Sequence, residues 1–485
     1  MKEWSENKMK KFVCLLLALV LTLSLAACGN KSAESESGVK TIVVAIPTMG
    51  DMTYAQDVQD AINAISEERY GISYDLEFIT YGNWAQQVNL LLTGDEVDIV
   101  PAFMTPLSTY VKNGQFADLT EYVANASEDF KNDWPDEVLK TTSLNGSVYA
   151  IPNLKNYGSC YGLTLAQDVA DFYGIENRHQ WTLAEVSDFL YQAQKDFPDR
   201  YALVPSGAGS MVAGWSWDGL GDSKYIGVLP DCGQSLTVEN LFDTDDFQEL
   251  AAYTRQWYLD GLTIPDVLNT TEGGHDMLRA GKACATFSKF ANGNEAGCVL
   301  TTVVPAWSES NAYNVTYGVN ANAKDVDTAW KALEVLYTDE EIIDFLVQGI
   351  EGKTYVVNDN NTISYIDGKN AIESGYCMPT MYWVLPNADC TLPIDAYGEG
   401  FFEGIKSFND ATLKSKASGF YFDITEVADQ YTACSNVMDK YMQAILSGSV
   451  DTEATIAQAN KELEAAGIND IITAKQAQLD AFLGN

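Results

Sequence analysis

Histidine is almost missing from this chain: His179 and His275 are the only two in 485 residues. Neither falls in HExxH or another metal-ligand spacing, so no histidine zinc site is encoded. His179 reads as a loop residue in Asn177-Arg178-His179-Gln180, and His275 as a helix start after Gly273-Gly274. No GxSxG elbow and no CxxC pair occur, which removes the signatures of two further chemistries. Arginine is scarce, with five residues. Pockets for phosphate or polycarboxylate rely on guanidinium forks, so the shortage favours a mostly neutral ligand. The Gly-rich segment 205–221 (PSGAGSMVAGWSWDGLG) lacks the GxxxxGK[ST] pattern and is not a P-loop. Basic charge is short as well: 29 Lys and Arg stand against 68 Asp and Glu, a net charge of −39. Such a surface repels nucleic acid and anionic lipid head groups, so neither is an expected partner.

Long apolar runs are limited to one, at 12–25, which is short for a bilayer span. Lys8, Lys10 and Lys11 precede it and Leu25-Ala26-Ala27-Cys28 closes it, a signal-peptide layout. Small residues before that cysteine resemble the bacterial lipobox. The resemblance implies cleavage before Cys28 and a diacylglyceryl (palmitate-bearing) thioether on it. Removing 1–27 takes away four Lys and two Glu, which lowers the charge to −41. Met9 is a more natural initiator than Met1. Residues 28–40 read as a flexible tether.

Seven cysteines remain beyond Cys14 and Cys28: 160, 232, 284, 298, 377, 390 and 434. An odd number without CxxC spacing points to scattered buried thiols; bridges between 284 and 298, or 377 and 390, stay open. The Asn-rich stretch 358–361 reads as a hairpin turn, because Ile363 and Ser364 stand where an EF-hand needs oxygen ligands and a Gly. Asp243, Asp245 and Asp246 read as helix-start acids. No metal and no cofactor is expected.

The segment 76–104 (LEFITYGNWAQQVNLLLTGDEVDIVPAFM) organises the rest. Leu76 and Phe78 alternate as in a strand. Asn83 is placed to cap a helix, and Trp84, Val88, Leu91 and Leu92 share one face of it. Gly94 is a stop, and 97–100 is a second strand before Pro101. With the strand 41–46 (TIVVAI) and a helix carrying Tyr54, Val58, Ala61, Ile62 and Ile65, the start reads β-α-β-α-β, a doubly wound α/β fold. Ligands bind beyond the carboxyl ends of such strands, here at loops 80–83 and 101–104.

A first strand, an amphipathic helix, W-x(6)-LLxxGDxVDIV, DLTEYV at 118–123 and NGSVYAIP at 145–152 follow one another. In that order they resemble the family 1 extracellular solute-binding proteins, the maltose-binding-protein-like receptors of ABC importers. The end of the chain, with GIEGKTY at 349–355 and YMQAILSG and KELEAAGINDIITAKQAQLDAF within 419–483, resembles a C-terminal domain of unknown function in a lipoprotein subgroup. The resemblance implies a two-lobe, type II periplasmic-binding-protein-like fold with a helical C-terminal segment. Crossings are placed at 150–155, 301–306 and 349–355. Lobe one is then 41–150 plus 306–350, and lobe two 151–305 plus 351–485. The seam Val427, Tyr431, Cys434, Met438, Tyr441 and Ile445 reads as cover for lobe two.

The implied function is a lipid-anchored, monomeric receptor on the extracellular face of the membrane (the periplasmic face in a Gram-negative cell). It would bind a neutral carbohydrate by hinge closure and deliver it to ABC permease subunits. A surface glycan-binding or sensor module on the same scaffold is the alternative, and a glycoside hydrolase a third reading. Sugar sites pair aromatic rings with hydrogen-bonding groups. The candidates are Asp51, Phe103, Asn156, Tyr157, Trp215, Trp217, Asp218, Phe287, Tyr382 and Trp383. Trp84 is favoured for the core, and Asp51 has a helix cap as its competing role.

Overall fold

A computed structural model describes residues 38–484 apart from 135–138, 140–141, 145, 208–210, 213, 294, 296 and 313–314. The signal segment 1–27, Cys28 and most of the tether lie outside the described residues.

Lys40–Thr48 and Ile72–Thr80 pair in parallel, from Lys40 opposite Ile72 to Thr48 opposite Thr80. Helix Ala55–Tyr70 joins them, buries Val58, Ile62 and Ser66, and stops on left-handed Gly71. Helix Trp84–Thr93 turns Trp84, Val88 and Leu92 inward. Asn83 makes no cap bond. It closes a 3₁₀ turn, Tyr81–Asn83, and its Nδ2 donates to Thr80 Oγ1 at 3.1 Å. The next strand, Ile99–Ala102, runs through Pro101 rather than stopping before it. Its parallel neighbour pairs with it at Ile99, so the missing N–H of Pro101 interrupts no ladder on that side.

The first sheet has the order Ile72–Thr80, Lys40–Thr48, Ile99–Ala102, Thr316–Val319, Ile151–Pro152. The second has the order Leu413–Lys414, Val304–Ser308, Ser159–Ala166, Ala283–Phe290, Tyr201–Val204, with Cys298–Leu300 also paired to Ser159–Ala166. Two separate apolar cores surround them, one in each lobe. The chain passes between lobes at 153–158, at 309–315 and at 406–412.

The last passage corrects the expected boundary at 350. Tyr376, Met378, Met381, Leu385, Phe402 and Ile405 all belong to the first core. The segment 349–355 is not a crossing strand but a turn. Gly349 has φ +87° after helix Glu340–Gln348, and Thr354 Oγ1 accepts from Ile350 N at 2.8 Å. That turn sends the hairpin Tyr355–Val357 and Ile363–Tyr365 back along lobe one.

The terminal helices Ala428–Leu446, Thr452–Ala466 and Ile468–Leu483 place Cys434, Met438, Leu463, Ile471 and Leu479 in the second core. The seven described cysteines are all free; Cys390 is exposed and the other six are buried.

Candidate functional site

Between the lobes lies a cavity of about 650 Å³. Its lobe-one wall is the loop 103–108 leaving strand Ile99–Ala102, with Thr142, Leu144 and Thr316. Its lobe-two wall is Gly221, Ser223, Ser310, Asn311, the segment 419–421, Gln478, Ala481 and Phe482. It therefore opens beyond the carboxyl end of a central strand, where doubly wound sheets place ligands. Among the described residues no Asp, Glu, Lys, Arg or His lines it, in a chain that carries 68 acidic and 29 basic residues. The polar groups are hydroxyls and amides, and the apolar ones include three aromatic rings besides that of Phe103.

The loop leaves the sheet through a tight turn in which Phe103 N donates to Pro101 O at 2.9 Å. Met104 follows with φ +58° and is exposed. Phe103 meets Tyr81 at 5.1 Å between centroids and Trp383 at 6.2 Å. Trp84 anchors this corner from the core, its Nε1 donating to Phe103 O at 2.8 Å.

Across the cavity, Tyr421 covers Gly221. A Cβ at Gly221 would lie 2.6 Å from the ring, and its φ of +84° also disfavours a side chain. Gly221 and Ser223 belong to a loop, 219–227, wrapped around the buried ammonium of Lys475. Lys475 donates to Ile226 O at 2.7 Å, Gly227 O at 2.8 Å, Gly219 O at 3.3 Å and Asp222 Oδ2 at 3.4 Å. Burial lowers its pKa, and Asp222 pulls it back up.

Of the three crossings, the middle one reaches the cavity wall through Ser310 and Asn311, while the first and last are joined to each other. Asn409 accepts from Tyr157 N at 2.8 Å and donates to Lys155 O at 2.8 Å, which clips the last crossing to the first. Beside them, Lys289 donates to Glu309 at 3.2 Å, and so does Tyr161 Oη at 3.2 Å. Burial, and then the charge of Lys289, push Lys155 down to about 7, with Glu309 opposing.

The structure divides the expected site residues. Phe103 lines the cavity. Trp383 touches Phe103, and Asn156 Nδ2 donates to Tyr382 Oη at 3.4 Å, so these four share one corner of lobe one. Tyr157 sits in the first crossing, its Oη donating to Asn153 O at 2.7 Å. Four expected platforms are instead core residues. Trp215 packs edge-on to Phe287 at 5.6 Å, Trp217 lies against Phe247, and Tyr382 against Phe401 and Phe402. Trp217 and Phe287 are 1% exposed, which leaves no face for a ligand. Asp218 is buried as a loop organiser, accepting from Leu220 N, Ser310 N and Ser310 Oγ at 2.8–2.9 Å. Asp51 folds its carboxylate onto Thr53 N and Oγ1 at the start of the first helix. Tyr421, Gln478, Phe482, Ser310 and Asn311 are cavity residues that sequence reasoning missed.

His275 is less plain than its sequence context implied. It bridges Glu295 at 2.5 Å and Ser288 Oγ at 2.9 Å, in the order of a hydrolase triad. Ser288 is only 7% exposed, already receives a hydrogen bond from Thr164 Oγ1 at 2.7 Å, and is not part of the cavity wall. Among the described residues no group of three or more His, Cys, Asp or Glu is arranged to hold a metal ion.

Residues 47–342 match the bacterial extracellular solute-binding protein family. The chain belongs to that family. Its members are substrate-binding proteins that work outside the cytoplasm, which agrees with a cleft built from two lobes. Residues 416–484 of this solute-binding protein match a further family, the domain of unknown function DUF3502. A carbohydrate ABC transporter substrate-binding protein from Streptococcus pneumoniae serotype 4 is 23% identical over 509 residues, covering 100% of both chains. The N-glycan transport solute-binding protein from S. pneumoniae superposes with a TM-score of 0.76 at 20% identity, over 92% of this chain and 99% of that one. Its complex with Man5GlcNAc gives 0.63 at 21% identity, over 92% and 99%. These neighbours have the two-lobe type II fold found here.

Proposed function

We propose that this protein is the lipid-anchored receptor of an ABC importer and binds a neutral oligosaccharide between its lobes. The carrying observation is the chemistry of the cavity wall: rings, hydroxyls and amides with no ionic side chain among the described residues. A sugar ring offers an apolar C–H face to aromatic groups and a hydroxyl rim to hydrogen-bond partners, which is the complement of that wall. A volume of about 650 Å³ is in the range of small-molecule sites. The names of the pneumococcal relatives support the same ligand class and the same transport system.

In this reading Phe103 and Trp383 form the lobe-one platform, and Asn156 and Tyr157 stand at the moving joint. Closure about the three crossings would bring Tyr421 and Phe482 toward Phe103. A ligand shifts such an equilibrium only by its differential affinity for the closed state. The test is a broad glycan array followed by calorimetry and small-angle scattering on the best binder. Binding with a smaller radius of gyration is expected, and a silent array would overturn the carbohydrate assignment. Deletion of the gene should abolish uptake of that glycan; unchanged uptake would favour a surface sensor. Cys28→Ser should release the protein or leave the precursor uncut, because stable anchoring needs the lipid.

A further inference from the structure

We propose that the C-terminal segment 416–484, matched only to a domain of unknown function, is a specificity element of the ligand site: Tyr421 and Phe482 form an aromatic shelf for a sugar ring. The inference rests on the carbohydrate reading of the cavity and adds which part of the chain selects the glycan.

Three observations carry it. The first is exposure. Tyr421 is 39% exposed and Phe482 45%, and both line the cavity, although they come from opposite ends of the segment. Aromatic rings exposed in a concave wall offer flat apolar surface where a ligand can reach it.

The second is rigidity. The shelf is fixed at three points, and both rings stay partly exposed, Tyr421 at 39% and Phe482 at 45%. Gln478 pins the 421–423 stretch to the last helix: its Nε2 donates to Asp423 O at 2.9 Å and its Oε1 accepts from Asp423 N at 2.9 Å. Phe482 packs edge-on against Phe420 at 5.5 Å. Tyr421 rests on Gly221, whose missing side chain lets the ring settle on the backbone. Side chains held by such contacts lose little further freedom on binding, which favours affinity.

The third is coupling to the polar part of the lobe-two wall. Lys475, three residues before Gln478, holds loop 219–227 from below, and that loop presents Ser223 to the cavity. The last helix therefore sets the aromatic shelf and the hydroxyl beside it as one unit. A terminal domain that merely covered lobe two would have no reason to leave two rings facing the cleft.

The experiment uses the full-length protein and the best glycan from the array. Calorimetry compares wild type with Tyr421→Ala, Phe482→Ala, Tyr421→Phe and a control, Phe172→Ala, an exposed ring away from the cavity. Each of the first two should weaken binding by about tenfold or more, as truncation of an aromatic anchor does, at an unchanged melting temperature. Tyr421→Phe keeps the shelf and should keep most of the affinity, and Phe172→Ala should change nothing. Wild-type affinity in both Tyr421→Ala and Phe482→Ala would overturn the proposal while leaving the carbohydrate reading intact. A silent array with wild type would instead overturn that reading, and the shelf with it.

Discussion

Lys475 donates to the carbonyl oxygen of Ile226 at 2.7 Å from a position with no solvent exposure. The contact joins the last helix to the loop under the cavity, and the same ammonium also reaches Gly219 O, Gly227 O and Asp222. A tethered cation thus occupies the centre of a ring of oxygens. Lys475→Met would keep the bulk of the stem and remove the charge. The carbonyls and Asp222 would then be buried without their partner, at a cost of about 3 kcal/mol. Urea unfolding should show the midpoint falling accordingly; an unchanged midpoint would mean that the cage is dispensable.

Trp217 should behave as a core residue rather than as a binding residue. It is 1% exposed, between Phe247 and Tyr225. Trp217→Ala should cost about 3–5 kcal/mol of stability through the cavity it leaves. Trp217→Phe should fold and retain glycan affinity. A large affinity loss in the Phe variant, with normal melting, would restore the indole to the ligand site.

These two residues also show what could be read in advance. The helix Trp84–Thr93 was legible because its apolar spacing is a local property of ten residues. The strand-exit loop at Phe103 was legible because topology dictates where a doubly wound sheet binds. The lobe-two wall was not, since it unites Gly221, Ser310, Tyr421 and Phe482 from distant parts of the chain. Two tryptophans in a Gly-rich loop look alike whether that loop faces a ligand or folds inward. Lys475 did leave a trace: it stands four residues after Ile471 and four before Leu479, on the buried stripe of its helix. The displaced boundary at 350 has a similar cause, because a short Gly-containing segment such as 349–355 (GIEGKTY) fits a turn as well as a crossing strand.

Lys155 makes stability depend on pH in a defined direction. Burial and Lys289 push it from its ordinary 10.5 down to about 7. Below that value both folded and unfolded chains carry the proton, and the folded state bears the full cost of the charge. Between about 7 and 10.5 only the unfolded chain holds the proton, so stability rises with pH. Lys155→Met removes this dependence. Its melting temperature should exceed that of wild type at about pH 6, and the gap should narrow as pH rises and close only near the ordinary lysine value of 10.5. A gap independent of pH would show that the lysine is not titrating in that window.

Asn409 should control how the crossings move together. Its side chain receives Tyr157 N and donates to Lys155 O, while the Thr412 side chain sits where a Cβ on Gly158 would have to go, at 2.4 Å. The last crossing is thereby fastened to the first, so the lobes turn about one compound joint. Asn409→Ala would leave one donor and one acceptor unpaired in a half-buried seam, at about 1–3 kcal/mol. The loss should appear as a modest fall in melting temperature. More tellingly, scattering of the ligand-free variant should give a broader distance distribution than wild type, because the crossings can then bend independently. Glycan affinity should fall as well, since part of the binding energy would be used to restore the joint. Replacement by Asp keeps the acceptor for Tyr157 N but loses the donor to Lys155 O, and should fall between the two. If Asn409→Ala scatters and binds as wild type does, the crossings are independent hinges, and the clip is only a local contact.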